Sequence, residues 1–276
     1  MTPEDPIRHS VVEWCFTNFG LKWDLPEICR VSRDLGCDSV ELVDPSKWSV
    51  LKEFGMVCAI APVEMGDPPF AKGFNNPAHR EQVVQATKDS IDACAAHEFP
   101  NVIAFTGYEY KDPDNPASGR LTLEEGAQNC IEGFKEVVGY AEENGVTLCL
   151  EMLNTRDDSS PDHGHPGYQG DHIDYCASIV NSVGSPNLKL LFDFYHVQIM
   201  DGDLIKRVRQ YADIIGHVHT AGVPGRNEIG DEQEINYPGV IHALRATGYE
   251  GFIGHEFMPL GDPAQGIHEA MVRCGI

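Results

Sequence analysis

An eightfold alternation of short β-rich runs with helical patterns constrains this chain more than any other feature. The strand patterns fall at Val11–Phe16, Ser39–Val43, Met56–Val63, Asn101–Thr106, Val146–Met152, Leu188–Phe194, Ile215–Thr220 and Gly251–Glu256. Each is followed by a helical pattern: Leu25–Leu35, Lys47–Phe54, Pro77–Glu98, Leu123–Asn144, His172–Val183, Asp203–Tyr211, Tyr237–Thr247 and Ala264–Cys274. Asp24 reads as an N-cap and Gly36 and Gly145 as helix stops. Strict β-then-α order implies parallel strands with right-handed crossovers, and eight such units fit a closed (β/α)8 TIM barrel better than an open sheet. Nothing along residues 1–276 marks a linker, so one domain is expected. The Pro-, Asp- and Gly-rich segments Gly107–Arg120 and Asn154–Gly170 read as long functional loops. Their aromatics could line a pocket or a contact between copies of the chain.

Composition narrows the function. With 20 Lys and Arg against 43 Asp and Glu, the net charge of −23 argues against nucleic-acid and anionic-membrane partners, which need positive fields. Nine cysteines, an odd number with no C-x-x-C spacing, fit reduced packing residues rather than a disulfide framework. The opening Met1–Ser10 is polar and lacks an apolar signal core. A cytoplasmic protein acting on a small molecule is the expectation.

Four of the runs end on a metal-type ligand. Glu151, Asp193, His219 and Glu256 stand at or within a few residues of predicted strand ends, where barrels of this kind display their chemistry. Any one of them alone is as well read as a surface or capping residue; four in register are not. Three carboxylates and one imidazole make a hard, mainly oxygen site suited to Mn²⁺ or Mg²⁺, with Co²⁺ acceptable. Side chains alternate along a strand. His217 therefore shares a face with His219, as a hydrogen-bonded core or supporting histidine, while His255 faces away from Glu256.

The order and spacing of these motifs resemble the hydroxypyruvate isomerase family of xylose-isomerase-like barrels. The likeness is carried by Cys149-Leu-Glu-Met-Leu-Asn154, Phe192-Asp-Phe-Tyr-His196, Gly216-His-Val-His219, Val223-Pro-Gly-Arg226-Asn-Glu228 and His255-Glu256. It implies that Glu151 and Glu256 are an acid/base pair as well as ligands, that Asp193 and His219 complete a divalent-metal site, and that His196, Arg226 and Asp157 contact substrate. The reaction implied interconverts hydroxypyruvate and tartronate semialdehyde, or a close hydroxy-carbonyl acid. Arg226 would grip the substrate carboxylate. Where hydroxypyruvate isomerases tend to carry Pro and Gln, this chain has Met152 and His219. His at that position is the habit of ketose 3-epimerases, the alternative reading. DNA-repair endonucleases share the barrel type but need a basic face, and a non-catalytic binding barrel would be expected to lose one glutamate.

Overall fold

The computed structural model describes residues 7–275; residues 1–6 of the polar opening, expected to lack a signal core, lie outside them. Along residues 7–59 the elements are β1 (Arg8–Val12), α1 (Glu13–Asn18), α2 (Leu25–Leu35), β2 (Ser39–Glu41) and α3 (Trp48–Glu53). Residues 60–202 contain α4 (Arg80–His97), β3 (Asn101–Phe105), α5 (Leu123–Asn144), β4 (Thr147–Glu151), α6 (Ile173–Val183), β5 (Leu188–Asp193) and α7 (Phe194–Met200). Then come α8 (Leu204–Gln210), β6 (Ile215–Thr220), α9 (Tyr237–Arg245), β7 (Phe252–His255) and α10 (Pro263–Cys274).

These elements form two compact units, one of residues 7–59 with 203–275 and the other of residues 60–202. In the first, parallel strands run in the order β2-β1-β7-β6, with Val12 opposite Glu41 and His219 opposite Gly254. In the second, the parallel order is β5-β4-β3, with Phe105 opposite Glu151 and Glu151 opposite Leu191. Strands buried on both faces read as continuous apolar runs, and β3 and most of β5 do so here.

Local signals account for the helix ends. The Asp24 carboxylate accepts from Glu27 N at 2.9 Å, and Gly36 ends α2 at φ +102°. At α5 the capping box is complete, with Thr122 Oγ1 accepting from Glu125 N and Glu125 Oε2 accepting from Thr122 N. Two such bonds satisfy donors that a helix otherwise leaves open. No helix among the described residues is long and apolar enough to cross a membrane, and all nine cysteines are buried free thiols.

Three expectations are corrected. The described residues hold seven strands and ten α-helices, not eight of each. The run Met56–Val63 makes only single bridges, Ser39 with Val57 and Ala61 with Val102. Its ladder is interrupted where Ala59 N donates to Ser39 Oγ at 2.8 Å, and Pro62 has no N–H to offer. The first strand lies earlier than Val11–Phe16, because Glu13–Asn18 is helical; a short apolar run does not by itself distinguish a strand from a buried helix. A helix the sequence reading omitted, α7, starts directly from Asp193.

Candidate active site

Within the unit of residues 7–59 and 203–275, a polar cluster gathers at the strands' carboxyl ends. Glu41, the last residue of β2, is fully buried, as are His217 and His219 on one face of β6. Glu41 Oε1 lies 3.1 Å from His217 Nε2 and 2.8 Å from His219 Nε2. Burial alone would raise the Glu41 carboxyl, but the charge and hydrogen bonds of the two imidazoles outweigh it and bring it down to about 2. Gly254 makes room for this group: a Cβ there would stand 1.9 Å from Glu41 Oε1 and 2.8 Å from His219 Cδ2.

On its other side His219 presents Nδ1 to Glu256 Oε2 at 3.0 Å. Glu256, just past β7, is 4% exposed. Its Oε1 accepts from Trp14 Nε1 at 3.0 Å and its Oε2 from Arg226 Nη2 at 2.7 Å. The Arg226 guanidinium also lies over the Trp14 ring, 5.1 Å from its centroid. These donors fix the plane of the carboxylate. Arg226 itself is buried in the turn after β6 with φ +56°, a left-handed conformation that costs a non-glycine residue, and its carbonyl accepts from Met258 N at 2.7 Å. It therefore faces Glu256, while the Glu228 carboxylate accepts from Leu260 N and Gly261 N.

The opposite face of this sheet carries a second histidine pair. His255 Nδ1 lies 2.8 Å from Thr220 Oγ1 and His255 Nε2 lies 3.0 Å from His9 Nδ1, with the two rings stacked 5.3 Å apart. Alternation thus keeps His255 away from Glu256, as expected.

In the unit of residues 60–202, Glu151 ends β4 and Asp193 ends β5. They are 4% and 1% exposed, and each offers a carboxylate oxygen within 4.8 Å of the other. Two buried carboxylates this close suit a cation, because burying like charges together is otherwise costly. Asp193 also caps α7, its Oδ1 accepting from Tyr195 N at 2.7 Å and His196 N at 3.2 Å. His196 is thereby drawn into the first turn of α7. Its Nδ1 accepts from Asn154 N at 3.1 Å and lies 2.8 Å from Asn154 Nδ2, which places the ring proton on Nε2, 3.8 Å from Asp193 Oδ2.

Asn154 links this histidine to the loop, since its Oδ1 accepts from Asp157 N at 3.1 Å. The Asp157 carboxylate accepts from Ser159 N and Oγ and stands 3.8 Å from His163 Nδ1. Partial burial would raise its carboxyl, but those contacts leave it below its usual value. The bridge between Tyr108 and Tyr168 joins the two long loops within this unit.

Sequence reasoning missed Glu41, Trp14 and Asn154. Glu41 carried the signal used for Glu151, an acid within a few residues of a predicted strand end. Trp14 carried none, for its partner lies 242 residues away.

The chain is 26% identical over 256 residues to the 2-oxo-tetronate isomerase of Pectobacterium atrosepticum, covering 88% of this chain and 91% of that one. It is 30% identical over 129 residues to the hydroxypyruvate isomerase of Escherichia coli, covering 47% of each. The chain spans about half the length of several of the curated relatives it matches. Among solved structures it superposes on a protein from Brucella melitensis described as an AP endonuclease of family 2, with TM-score 0.78, 25% identity and coverage of 95% and 97%. The sequence profile of the xylose isomerase-like TIM barrel family matches residues 29–273. With parallel strands ending in buried acids and imidazoles, this chain belongs to the xylose isomerase-like TIM barrel family.

Proposed function

We propose that this protein is a divalent-metal-dependent isomerase that interconverts hydroxypyruvate and tartronate semialdehyde, or a close hydroxy-carbonyl acid such as 2-oxo-tetronate. The observation that carries the reading is the placement of buried acids and imidazole at the carboxyl ends of β4, β5 and β6 and just beyond β7. Glu151, Asp193, His219 and Glu256 would hold the ion. Their donor set is hard and mostly oxygen, which suits Mn²⁺ or Mg²⁺, with Co²⁺ acceptable. When bound, such an ion supplies Lewis-acid stabilisation of the two neighbouring substrate oxygens as negative charge develops.

The protein's own residues move the protons. For hydroxypyruvate, one glutamate of the Glu151–Glu256 pair takes a proton from C3, and the other delivers one to C2 as the enediolate collapses. The hydroxyl proton on the C3 oxygen passes to the C2 oxygen, so the product is an isomer with no change in overall oxidation state. Trp14 and Arg226 hold the Glu256 carboxylate in orientation for its share. His196 would donate from Nε2–H to a substrate oxygen. Arg226 would carry the positive charge that a carboxylate substrate needs in a chain of net charge −23, and Asp157 would contact the substrate from its loop.

The second reading, a ketose 3-epimerase, is favoured by His219 in place of Gln. A DNA-repair role is disfavoured by the charge. Proton NMR in D₂O with Mg²⁺-loaded protein separates these, using hydroxypyruvate, 2-oxo-tetronate and a ketohexose panel, with the Glu151→Gln, Glu256→Gln double variant as control for spontaneous enolisation. Enzyme-dependent tartronate semialdehyde, or the corresponding isomer of 2-oxo-tetronate, supports the isomerase. Deuterium entering only at C3 of a ketose transfers the protein to the epimerases. No turnover of any substrate overturns both.

A further inference from the structure

Glu41 lies outside the proposed ligand set, yet it is buried against one member of it. Its Oε1 sits between two ring nitrogens, His217 Nε2 at 3.1 Å and His219 Nε2 at 2.8 Å. A carboxylate only accepts hydrogen bonds, so both nitrogens must carry hydrogen. For His219 that choice has a second consequence. An imidazole that binds a cation is neutral and has one N–H, so with the hydrogen on Nε2 the lone pair is on Nδ1, the atom 3.0 Å from Glu256 Oε2. Two electron-pair donors at that separation are stable with a cation between them, and they form one edge of a coordination polyhedron.

Glu41 is also held against drift. It is fully buried beneath Gly254, where any side chain would collide with its Oε1. The second imidazole, His217, shares the same oxygen, and its ring meets that of His219 edge-on with centroids 5.1 Å apart. His217 thus keeps the carboxylate from rotating away.

From this we infer that Glu41 is a positioning residue, fixing the tautomer and ring orientation of His219 through Nε2 so that Nδ1 is the nitrogen offered to a divalent cation. The inference rests on the proposed ligand role of His219. Its first test needs no metal: long-range ¹H–¹⁵N correlation spectra of EDTA-treated, ¹⁵N-histidine-labelled protein near pH 7.5, assigned with His217→Asn and His219→Asn. The expected result is a proton on His219 Nε2. A ring whose only proton is on Nδ1 overturns the inference whatever the variants do.

The second test is Mn²⁺ affinity, read from the electron paramagnetic resonance of the free ion. Glu41→Leu removes the acceptor and is expected to mix the His219 tautomers and weaken Mn²⁺ binding by about 10–100-fold. Glu41→Gln keeps one accepting oxygen, and is expected to retain the tautomer and to weaken binding less. Wild-type affinity in folded Glu41→Leu overturns the inference. Should that variant not fold, the wild-type spectrum and Glu41→Gln still decide, and loss of the Nε2–H tautomer in Glu41→Gln counts against the inference. Failure of wild-type protein to bind Mn²⁺ saturably, with the Nε2–H tautomer intact, overturns the ligand reading and this inference with it. That outcome is distinguishable from failure of Glu41's hold on the ring.

Discussion

Acidification should weaken this protein through the stacked pair His9 and His255. Their facing nitrogens are 3.0 Å apart, so one hydrogen lies between the two rings. Burial first, and then the charge of Arg245, lowers His9 from 6.5 to about 4. Burial also pushes His255 well below the usual imidazole range, with His9 itself contributing. In the unfolded chain His9 takes up a proton as pH falls through about 6.5, while in the folded protein it does so only near 4. The unfolded state therefore binds more protons between those values, and stability falls with pH there. The contribution of His9 is complete above pH 6.5 and is lost on the way down to 4. The limit is a shift of about 2.5 units, or about 3 kcal/mol, with about 2 kcal/mol gone by pH 5. Urea unfolding in EDTA at pH 7.5, 6.5, 5.5 and 5.0 measures it against His9→Phe, which keeps the ring stack and removes the titration. The wild type should lose about 2 kcal/mol more than the variant over that range. Parallel pH profiles would refute the reasoning.

Two other outcomes follow from single contacts. Thr122→Ala removes half of the α5 capping box and should cost about 1 kcal/mol by urea unfolding, with Thr122→Ser near wild type. Arg226→Met leaves the buried Glu256 carboxylate without its guanidinium and should destabilise the fold by about 3 kcal/mol; an unchanged thermal midpoint would show that the pair contributes little.

Capped, periodic segments were the most legible part of the sequence. The bounds of α2 follow from Asp24 and Gly36 and the end of α5 from Gly145, because caps are local chemistry. The run at 56–63 misled because whether an apolar stretch joins a ladder depends on Ser39, a residue of another element. Helix α7 was hidden for a related reason: the carboxylate of Asp193 both closes a strand and caps a helix, and the apolar residues after it fit either structure. That Glu151, Asp193 and His219 stand at or beside strand ends and Glu256 just past one was legible from the strand patterns. Trp14 and the direction of the Arg226 side chain were not, since both are set by Glu256 across long sequence separations.

The contact between Trp14 and Glu256 also bears on how the molecule is made. Residues 60–202 are continuous in the chain, whereas the unit containing that contact is built from two stretches that those residues separate. At about 5–20 residues per second, the 242 residues between the two partners take roughly 10–50 s to synthesise. During that interval β1 and β2 exist without β7, and Glu41 without the imidazoles of β6. Residues 60–202 can fold while the later strands are still being made; the unit that carries Glu41 and Glu256 must wait for β6 and β7.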